Sequence, residues 1–316
     1  MNDINCLVVS STIDYSTDLI CYELEKRRKR YARINRDHFS NYDILYSLES
    51  DRLSVAIDGK EYGITPKSLE SVYFRAPVFL RTGKEYSLQQ QLSRSQWSAF
   101  IRNLIVFDKA KWINHPVATY QAENKLFQLK CAKRLGLAIP TTFVGNTLPE
   151  HLDVDNYYIV KSLDTALFYE NGQELFTYST MISGSELLQS EIRAAPIIIQ
   201  KCLRGKMDLR VTVVENEVFA ASITKDGQKI EGDWRKNPKE ELTYNRVEIP
   251  SDIKRKVLEL MHCLGLTFGG VDLAFVDGTY YFIEVNPTGE WGWLVSSAHL
   301  SIDKAIVNSL VGGATE

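Results

Sequence analysis

The sequence predicts a mixed α/β (α+β) protein of two to three domains, and three observations carry that expectation. A chain of 316 residues exceeds what one hydrophobic core usually serves. Its first third alternates short apolar runs with amphipathic helical stretches, the pattern of a small α/β unit. Its last third carries paired apolar runs around short turns, the pattern of antiparallel hairpins. Apolar residues at 44% and charged residues at 24% are ordinary for a globular protein and exclude a disordered or coiled-coil chain.

In the first stretch, residues 1–114, Cys6-Leu7-Val8-Val9-Ser10 reads as a buried strand and a helix follows over 16–30. Residues 52–57 and 61–64 flank Asp58-Gly59, a strong short hairpin signal. Ser71-Val72-Tyr73-Phe74-Arg75 reads as a strand stopped by Pro77, and 88–107 as a helix. The basic run Lys26-Arg27-Arg28-Lys29-Arg30 suits a solvated helix C-terminus better than an acidic partner. Neither G-x-G-x-x-G nor G-x-x-x-x-G-K-[ST] occurs, which removes the main support for a Rossmann or Walker-type nucleotide site.

The second stretch, 115–195, opens with a helix expected over 121–135. Its stripe is Ala122, Leu126, Leu129, Ala132 and Leu135, with Gly136 as the stop. Strands are expected over 141–144 and 157–161, whereas 168–181 has no definite period. The third stretch, 196–316, begins with the strand Ile197-Ile198-Ile199-Gln200. A hairpin around Glu215-Asn216 joins 208–214 to 217–223, and 226–243 reads as a charged loop. Ser251 is expected to cap a helix with the stripe Ile253, Val257, Leu260 and Leu264, ended by Gly265. Residues 270–276 and 279–285 flank Asp277-Gly278.

The balance of 37 basic and 40 acidic residues, net −3, argues against a nucleic-acid or membrane-surface partner. No window approaches the roughly 18 apolar residues of a membrane span. The first sixteen residues carry Asp3 and Asp14 and no basic region, so no secretory signal is expected and a cytoplasmic location is. Five scattered cysteines without a C-x-x-C pair read as buried thiols rather than as catalytic or zinc-binding groups.

The chemistry is carried by charges placed inside apolar strands. Asp272 interrupts Gly269-Gly270-Val271-Asp272-Leu273, and Glu284 interrupts Tyr281-Phe282-Ile283-Glu284-Val285, with Asn286 next. A buried carboxylate needs a partner. Two carboxylates and an amide carbonyl on neighbouring strands make a hard-oxygen site suited to Mg²⁺ bridging phosphates. Taken alone, such residues serve equally well as ion-paired strand positions. Register decides whether they meet. A strict two-residue turn would point Glu284 away from Asp272, while a three-residue loop, Val276-Asp277-Gly278, would set Asp272 opposite Phe282 and bring Glu284 and Asn286 to its face. The second geometry is the one expected. Four cations on separate elements, Lys125, Lys161, Arg210 and Arg235, could complete a triphosphate site, although each alone reads as a surface cation.

Their joint order resembles that of the ATP-grasp carboxylate–amine ligases. Lys125 and Lys161 match the two nucleotide lysines. The run Ile198-Ile199-Gln200-Lys201-Cys202-Leu203 is similar to the adenine hinge, Asp208-Leu209-Arg210-Val211 to the arginine strand, and Asp272, Glu284 and Asn286 to the metal ligands. Within that superfamily the chain most resembles the graspetide synthetases, the microviridin-type peptide maturases. The resemblance rests on Val72-Tyr73-Phe74-Arg75-Ala76-Pro77, Trp112-Ile113-Asn114-His115-Pro116, Asp233-Trp234-Arg235, and the segment from Glu284 to Trp291. Three departures stand out. Ser162-Leu163-Asp164-Thr165-Ala166-Leu167 lacks the glycines of a phosphate-covering loop, Ala76 replaces a common arginine, and Glu290 a frequent glutamine.

The resemblance implies an ATP-grasp fold with an N-terminal α/β domain over 1–114, a central subdomain over 115–195 and a C-terminal antiparallel-sheet subdomain over 196–316. It implies ATP with two Mg²⁺ ions, and a precursor peptide with leader and core as partner; homodimers are common in that family. The implied reaction activates a core Asp or Glu as an acyl phosphate and closes an ester with Ser or Thr, or an amide with Lys. Metal ligation falls to Asp272, Glu284 and Asn286, nucleotide contacts to Lys125, Lys161, Gln200, Lys201, Leu203 and Arg210, and catalytic roles to Arg210, Arg235 and Asp208. Two rivals stand beside it. One is a ligase that adds amino acids to a protein tail or small acid, as in the ribosomal-modification and glutathione-synthetase branches. The other is a non-catalytic nucleotide- or peptide-binding module. Trp234, Tyr244, Trp291 and Trp293 are expected to pack the cleft floor and the seam between domains, and His115 to be a turn residue.

Overall fold

The structure, a computed structural model, describes residues 2–75, 86–163, 167–170, 173–176 and 179–312. Ala76 and Pro77 of the aromatic-arginine segment, and residues 164–166 after the second lysine, lie outside the described residues. No helix among the described residues is long and apolar enough to cross a membrane.

The N-terminal part is built on a parallel sheet in which Cys6–Ser10 lies between Tyr31–Asn35 and Ser71–Phe74, with Lys111–Ile113 beyond. Both faces of the first strand are covered, which is why it is apolar at every position. Leu7 and Val9 join Ile34, Phe74 and Phe107 in one core, and Cys6 and Val8 join Ile20, Leu24 and Tyr73 in another. A second sheet orders Asn2–Asp3, Lys60–Ile64, Arg52–Ile57 and Asp43–Ser47. Its expected hairpin turns at Asp58 and Gly59, both with positive φ (48° and 73°). The helix expected over 16–30 is Tyr15–Lys26, started by Asp14, whose side chain accepts from Thr17 N. The basic run is only partly solvated, because Arg27 Nη1 donates to Asn308 Oδ1 at 2.6 Å on the C-terminal helix Ile302–Val311.

The single helix expected over 121–135 is two, Pro116–Ala122 and Lys125–Arg134. Asn124 causes the break. It adopts extended backbone, and its Nδ2 donates to the Tyr120 and Gln121 carbonyls at the end of the first helix. The predicted stripe shifts accordingly: Leu126 is 54% exposed, while Gln128, Leu129, Cys131 and Ala132 are buried. His115 is the N-cap of the first helix, its Nδ1 accepting from Val117 N at 3.3 Å.

The central sheet is antiparallel and orders Thr180–Ser183, Tyr157–Lys161, Ile197–Lys201 and Thr142–Gly145. It therefore takes in Ile197–Lys201, so the chain leaves this sheet after Lys201 rather than at residue 195. Within the aperiodic stretch, Leu167–Glu170 pairs with Gln173–Phe176 as a hairpin. The last sheet has five antiparallel strands ordered Leu242–Arg246, Glu217–Lys225, Met207–Val214, Phe268–Val276 and Thr279–Asn286. Its back face buries Val211, Val213, Val271 and Phe282 against Lys125–Arg134 and Ser251–Cys263. That second helix carries the expected stripe, all four residues buried, and stops before Gly265 (φ 68°). Ser251 does not cap it. Ser251 is already helical, the preceding Pro250 is the N-cap, and no side chain bonds to that end.

Candidate active site

The front face of the five-stranded sheet carries the charges. In register across three strands, Arg210 pairs with Asp272 and Asp272 pairs with Glu284, while Gly270 pairs with Asn286. Glu284 thus shares a face with Asp272, but not through the expected three-residue loop. The turn has two residues, Asp277 (φ 46°) and Gly278 (φ 80°), between the paired Val276 and Thr279. Register shifts instead at a bulge between Asp272 and Leu273. Leu273 pairs with Phe282 and Asp272 with Glu284, leaving Ile283 as the extra residue. One bulged residue reverses the side alternation, so Asp272 faces Glu284 rather than Phe282.

Cations surround the two carboxylates. Arg210 Nη1 lies 2.9 Å from Asp272 Oδ1 and 3.5 Å from the Gly270 carbonyl. Glycine leaves room beside it: a Cβ on residue 270 would stand 2.9 Å from Arg210 Nη1, and the guanidinium would have to shift. Arg235 arrives from the loop, its guanidinium 4.9 Å from the Trp234 ring. Its Nη2 donates to Asp272 Oδ2 and, at 3.1 Å, to Glu284 Oε1. Lys125, the first residue of its helix, donates to the Ser162 carbonyl at 3.2 Å and stands 4.0 Å from Glu284 Oε2. Burial alone would raise the Glu284 carboxyl; Arg235, then Lys161 and Lys125, hold it well below the usual carboxylate range. Burial depresses the Lys161 ammonium, with Glu284 opposing the shift.

Two connected cavities meet over this face. Lys125, Lys161, Arg210, Arg235, Glu284 and Asn286 line a cleft of about 470 Å³. Gln200, Lys201, Leu203, Asp208 and Asp272 line a narrower slot of about 80 Å³. Lys161 and Arg235 border both. Asp208 therefore belongs to the slot, where Lys206 Nζ donates to it. Burial pushes its carboxyl up to about 6, against the pull of Lys206. Gln200 is 3% exposed and donates to Thr142 Oγ1 at 2.9 Å.

The donor set fits a hard divalent cation. Asp272 Oδ1 is buried and, although close to Arg210, has no aligned hydrogen-bond partner. Among the described residues no group of three or more His, Cys, Asp or Glu gathers around one point. Two carboxylates and the Asn286 carbonyl would be the protein's share, and phosphate oxygens would complete the shell.

Sequence reasoning missed two buried carboxamides that hold the end of the strand Thr279–Asn286. Gln128, on the Lys125 helix, copies a neighbouring strand: Oε1 accepts from Val285 N at 2.9 Å, and Nε2 donates to Val285 O at 2.8 Å. Asn114 Nδ2 donates to Pro287 O and Phe268 O at 2.8 Å, and its Oδ1 accepts from Phe268 N at 2.9 Å. Together they bracket Asn286. The available signal was a glutamine inside a helix's apolar stripe. The segment after Asn286 is tied to the N-terminal part. Arg75 bonds Asp14 at 2.9 Å, the Gly289 carbonyl at 3.3 Å and Glu290 at 3.1 Å, and Ser16 Oγ donates to Glu290 at 2.9 Å. The aromatics divide between two places. Trp291 is fully buried in the seam, its Nε1 donating to Tyr73 Oη at 3.3 Å. Trp293 packs on Tyr244 with ring centroids 4.4 Å apart and, with Trp234, lines the cleft.

An antiparallel five-stranded sheet carrying paired carboxylates, facing a central sheet with a cation at its border, defines a nucleotide-dependent ligase fold. The chain belongs to the family described as the RimK-like ATP-grasp domain, whose model matches residues 150–310, just over half of it. Solved structures agree along its whole length. A macrocyclase from Microcystis aeruginosa MRC, MdnC, bound to its precursor peptide MdnA, is 25% identical with a TM-score of 0.84, covering 98% of this chain and all of that one. A RiPP-associated ATP-grasp ligase of Chryseobacterium gregarium, in complex with ADP and a leader and core peptide, is 22% identical with a TM-score of 0.80, covering 100% of this chain and 98% of that one. The D-alanine–D-alanine ligase of Bacillus anthracis complexed with ATP shares the fold more distantly, at 12% identity and a TM-score of 0.60, covering 99% and 97%. No curated protein sequence matches the chain. The protein is thus an ATP-grasp ligase.

Proposed function

We propose that the protein macrocyclises a ribosomally made precursor peptide, joining side chains of its core by ester or amide bonds. The observation that carries this reading is the cleft. Lys125, Lys161, Arg210 and Arg235 converge from four separate elements on Glu284 and Asn286, beside the slot lined by Gln200, Lys201 and Leu203. The cleft then continues past those groups to Thr288, Glu290 and Trp293, leaving room for a peptide. Likeness over its full length to a macrocyclase bound to its precursor supports the same reading.

In this reading the adenine edge meets the hinge at Leu203, since Lys201 N and Cys202 N already donate to the Thr141 and Tyr157 carbonyls. Lys161 and Lys125 hold the phosphates. Asp272, Glu284 and Asn286 would hold two Mg²⁺ ions, which would supply neutralisation of the phosphate charge. A carboxylate oxygen of a core Asp or Glu attacks the γ-phosphorus of ATP, the bond to ADP breaks, and an acyl phosphate results. A Ser or Thr hydroxyl, or a Lys amine, attacks the acyl carbon, and phosphate leaves and takes up the nucleophile's proton. Arg210, fixed by Asp272 and given room by Gly270, steadies the incoming carboxylate and the acyl phosphate. Arg235 follows the charge as it develops on the transferred phosphoryl group. Asp208 lines the slot and accepts from Lys206, which supports a pairing role for it beside that of a base for the nucleophile's proton.

Mass spectrometry of a candidate precursor with a core rich in Thr and Asp or Glu, incubated with ATP and Mg²⁺, tests the reading. Loss of one water per crosslink is expected. The RimK-like match favours a second reading, a ligase that adds amino acids to an acceptor. A mass gain on the acceptor would establish it in place of the first.

A further inference from the structure

Two of the five cysteines meet behind the catalytic sheet. Cys131 lies in the second turn of the helix that begins at Lys125, and Cys263 is the last residue of the helix Ser251–Cys263. Their sulfurs are 3.1 Å apart, although 132 positions separate them in the chain. The two thiols are not equivalent. Cys131 is 2% exposed, and burial, followed by its contact with Cys263, pushes its thiol up to about 11. Cys263 is only partly buried. Arg134 Nη2, on an exposed side chain, lies 3.0 Å from Cys263 Sγ and 3.9 Å from Cys131 Sγ. The sulfur nearer solvent thus has a cationic donor against it, and a second sulfur stands within reach behind it, the arrangement of an attacking thiol with its resolving partner.

We infer that Cys131 and Cys263 form a reversible dithiol–disulfide site oxidised by small hydroperoxides. The Cys263 sulfur attacks the peroxide, the O–O bond breaks, Cys263 becomes a sulfenic acid and one water (or alcohol) leaves. The Cys131 thiol then attacks that sulfur, the S–OH bond breaks, an S–S bond forms and a second water leaves. Two thiols are oxidised by two electrons and the peroxide is reduced. The disulfide staples the two helices on the back of the sheet and restrains the helix whose first residue is Lys125. The inference stands whether or not the protein acts on a peptide, since it needs neither nucleotide nor acceptor.

The full-length folded protein treated with stoichiometric hydrogen peroxide and mapped without reduction tests it. The expected result is one intramolecular link between the peptides holding residues 131 and 263, with the loss of two hydrogens. Free thiols counted after denaturation fall from five to three and return to five with dithiothreitol. Cys263→Ser, at the more accessible position, abolishes the link and keeps its other four thiols. Cys131→Ala leaves a sulfenic acid at Cys263 that dimedone labels. The inference is overturned if wild-type protein keeps five thiols at that dose, if dimedone labels Cys263 in the wild type, or if the link joins other cysteines or two chains.

Discussion

Arg235 Nη2 lies 3.1 Å from Glu284 Oε1, so a cation from the short helical turn Trp234–Lys236 already stands against an oxygen donor proposed for the metal. The same nitrogen donates to Asp272. A divalent cation entering between these carboxylates must displace the guanidinium. Arg235→Ala is expected to bind Mn²⁺ about tenfold more tightly than wild type without nucleotide, a difference of about 1.4 kcal/mol, yet to lose turnover. Paramagnetic titration of free Mn²⁺ measures the first effect; equal affinity in the two proteins would remove Arg235 from the metal's path.

Glu284→Gln and Arg210→Ala are expected to abolish crosslinking with the fold intact. Each removes one member of the chain of contacts Lys125–Glu284–Arg235–Asp272–Arg210. Product mass and circular dichroism check this pair of outcomes, and full activity in either variant would refute the role given to that residue.

Gly270→Ala adds a methyl group 2.9 Å from Arg210 Nη1 in a buried strand. The guanidinium must move, so at least a tenfold loss of turnover is expected with nearly native nucleotide affinity. Gln128→Leu acts from behind. It leaves the Val285 N–H and carbonyl without their partner, at about 1–3 kcal/mol for each buried group. Denaturant unfolding reads that loss, and a calorimetric Mn²⁺–nucleotide titration reads the accompanying fall in metal affinity.

Stability should respond to pH in two opposed ways. Glu284 has a depressed pKa in the folded state, so its contribution is complete above the usual 4.5 and disappears as pH falls below that value. Asp208 is raised to about 6 from the usual 3.8, so the folded state binds its proton more tightly; that contribution is complete below 3.8 and is lost as pH rises through 6. Asp208→Asn is therefore expected to gain stability relative to wild type between pH 4 and 7, by about 3 kcal/mol at most. Urea unfolding at the two pH values measures the gain, and an unchanged difference between the proteins would contradict the raised pKa.

Local signals made much of this molecule legible. The turns at Asp58-Gly59 and Asp277-Gly278 were readable because a two-residue turn needs residues that tolerate positive φ. The apolar strand Cys6–Ser10 and the stripe from Ile253 to Leu264 were readable because period tracks burial. The bulge at Ile283 was not, since no residue type there marks a strand that gains one position. The helix break at Asn124 was hidden because apolar residues continue at helical spacing on both sides of it. The charged residues could be nominated one by one from their unusual setting in strands. What joins Asp272 to Arg235, or Gln128 to Val285, is long-range geometry that no short window of sequence contains.

The indole of Trp291 fills the seam beside Tyr73, and its nitrogen depends on that tyrosine's hydroxyl. Truncating the protein ahead of residue 115 would remove this partner together with Ile20 and Leu24, which share its core, and Arg75, which grips Glu290. The ATP-grasp portion would then bare the apolar side chains packed around Trp291. The N-terminal part is consequently a folding partner for the rest of the chain, and a fragment lacking it should be recovered as aggregate.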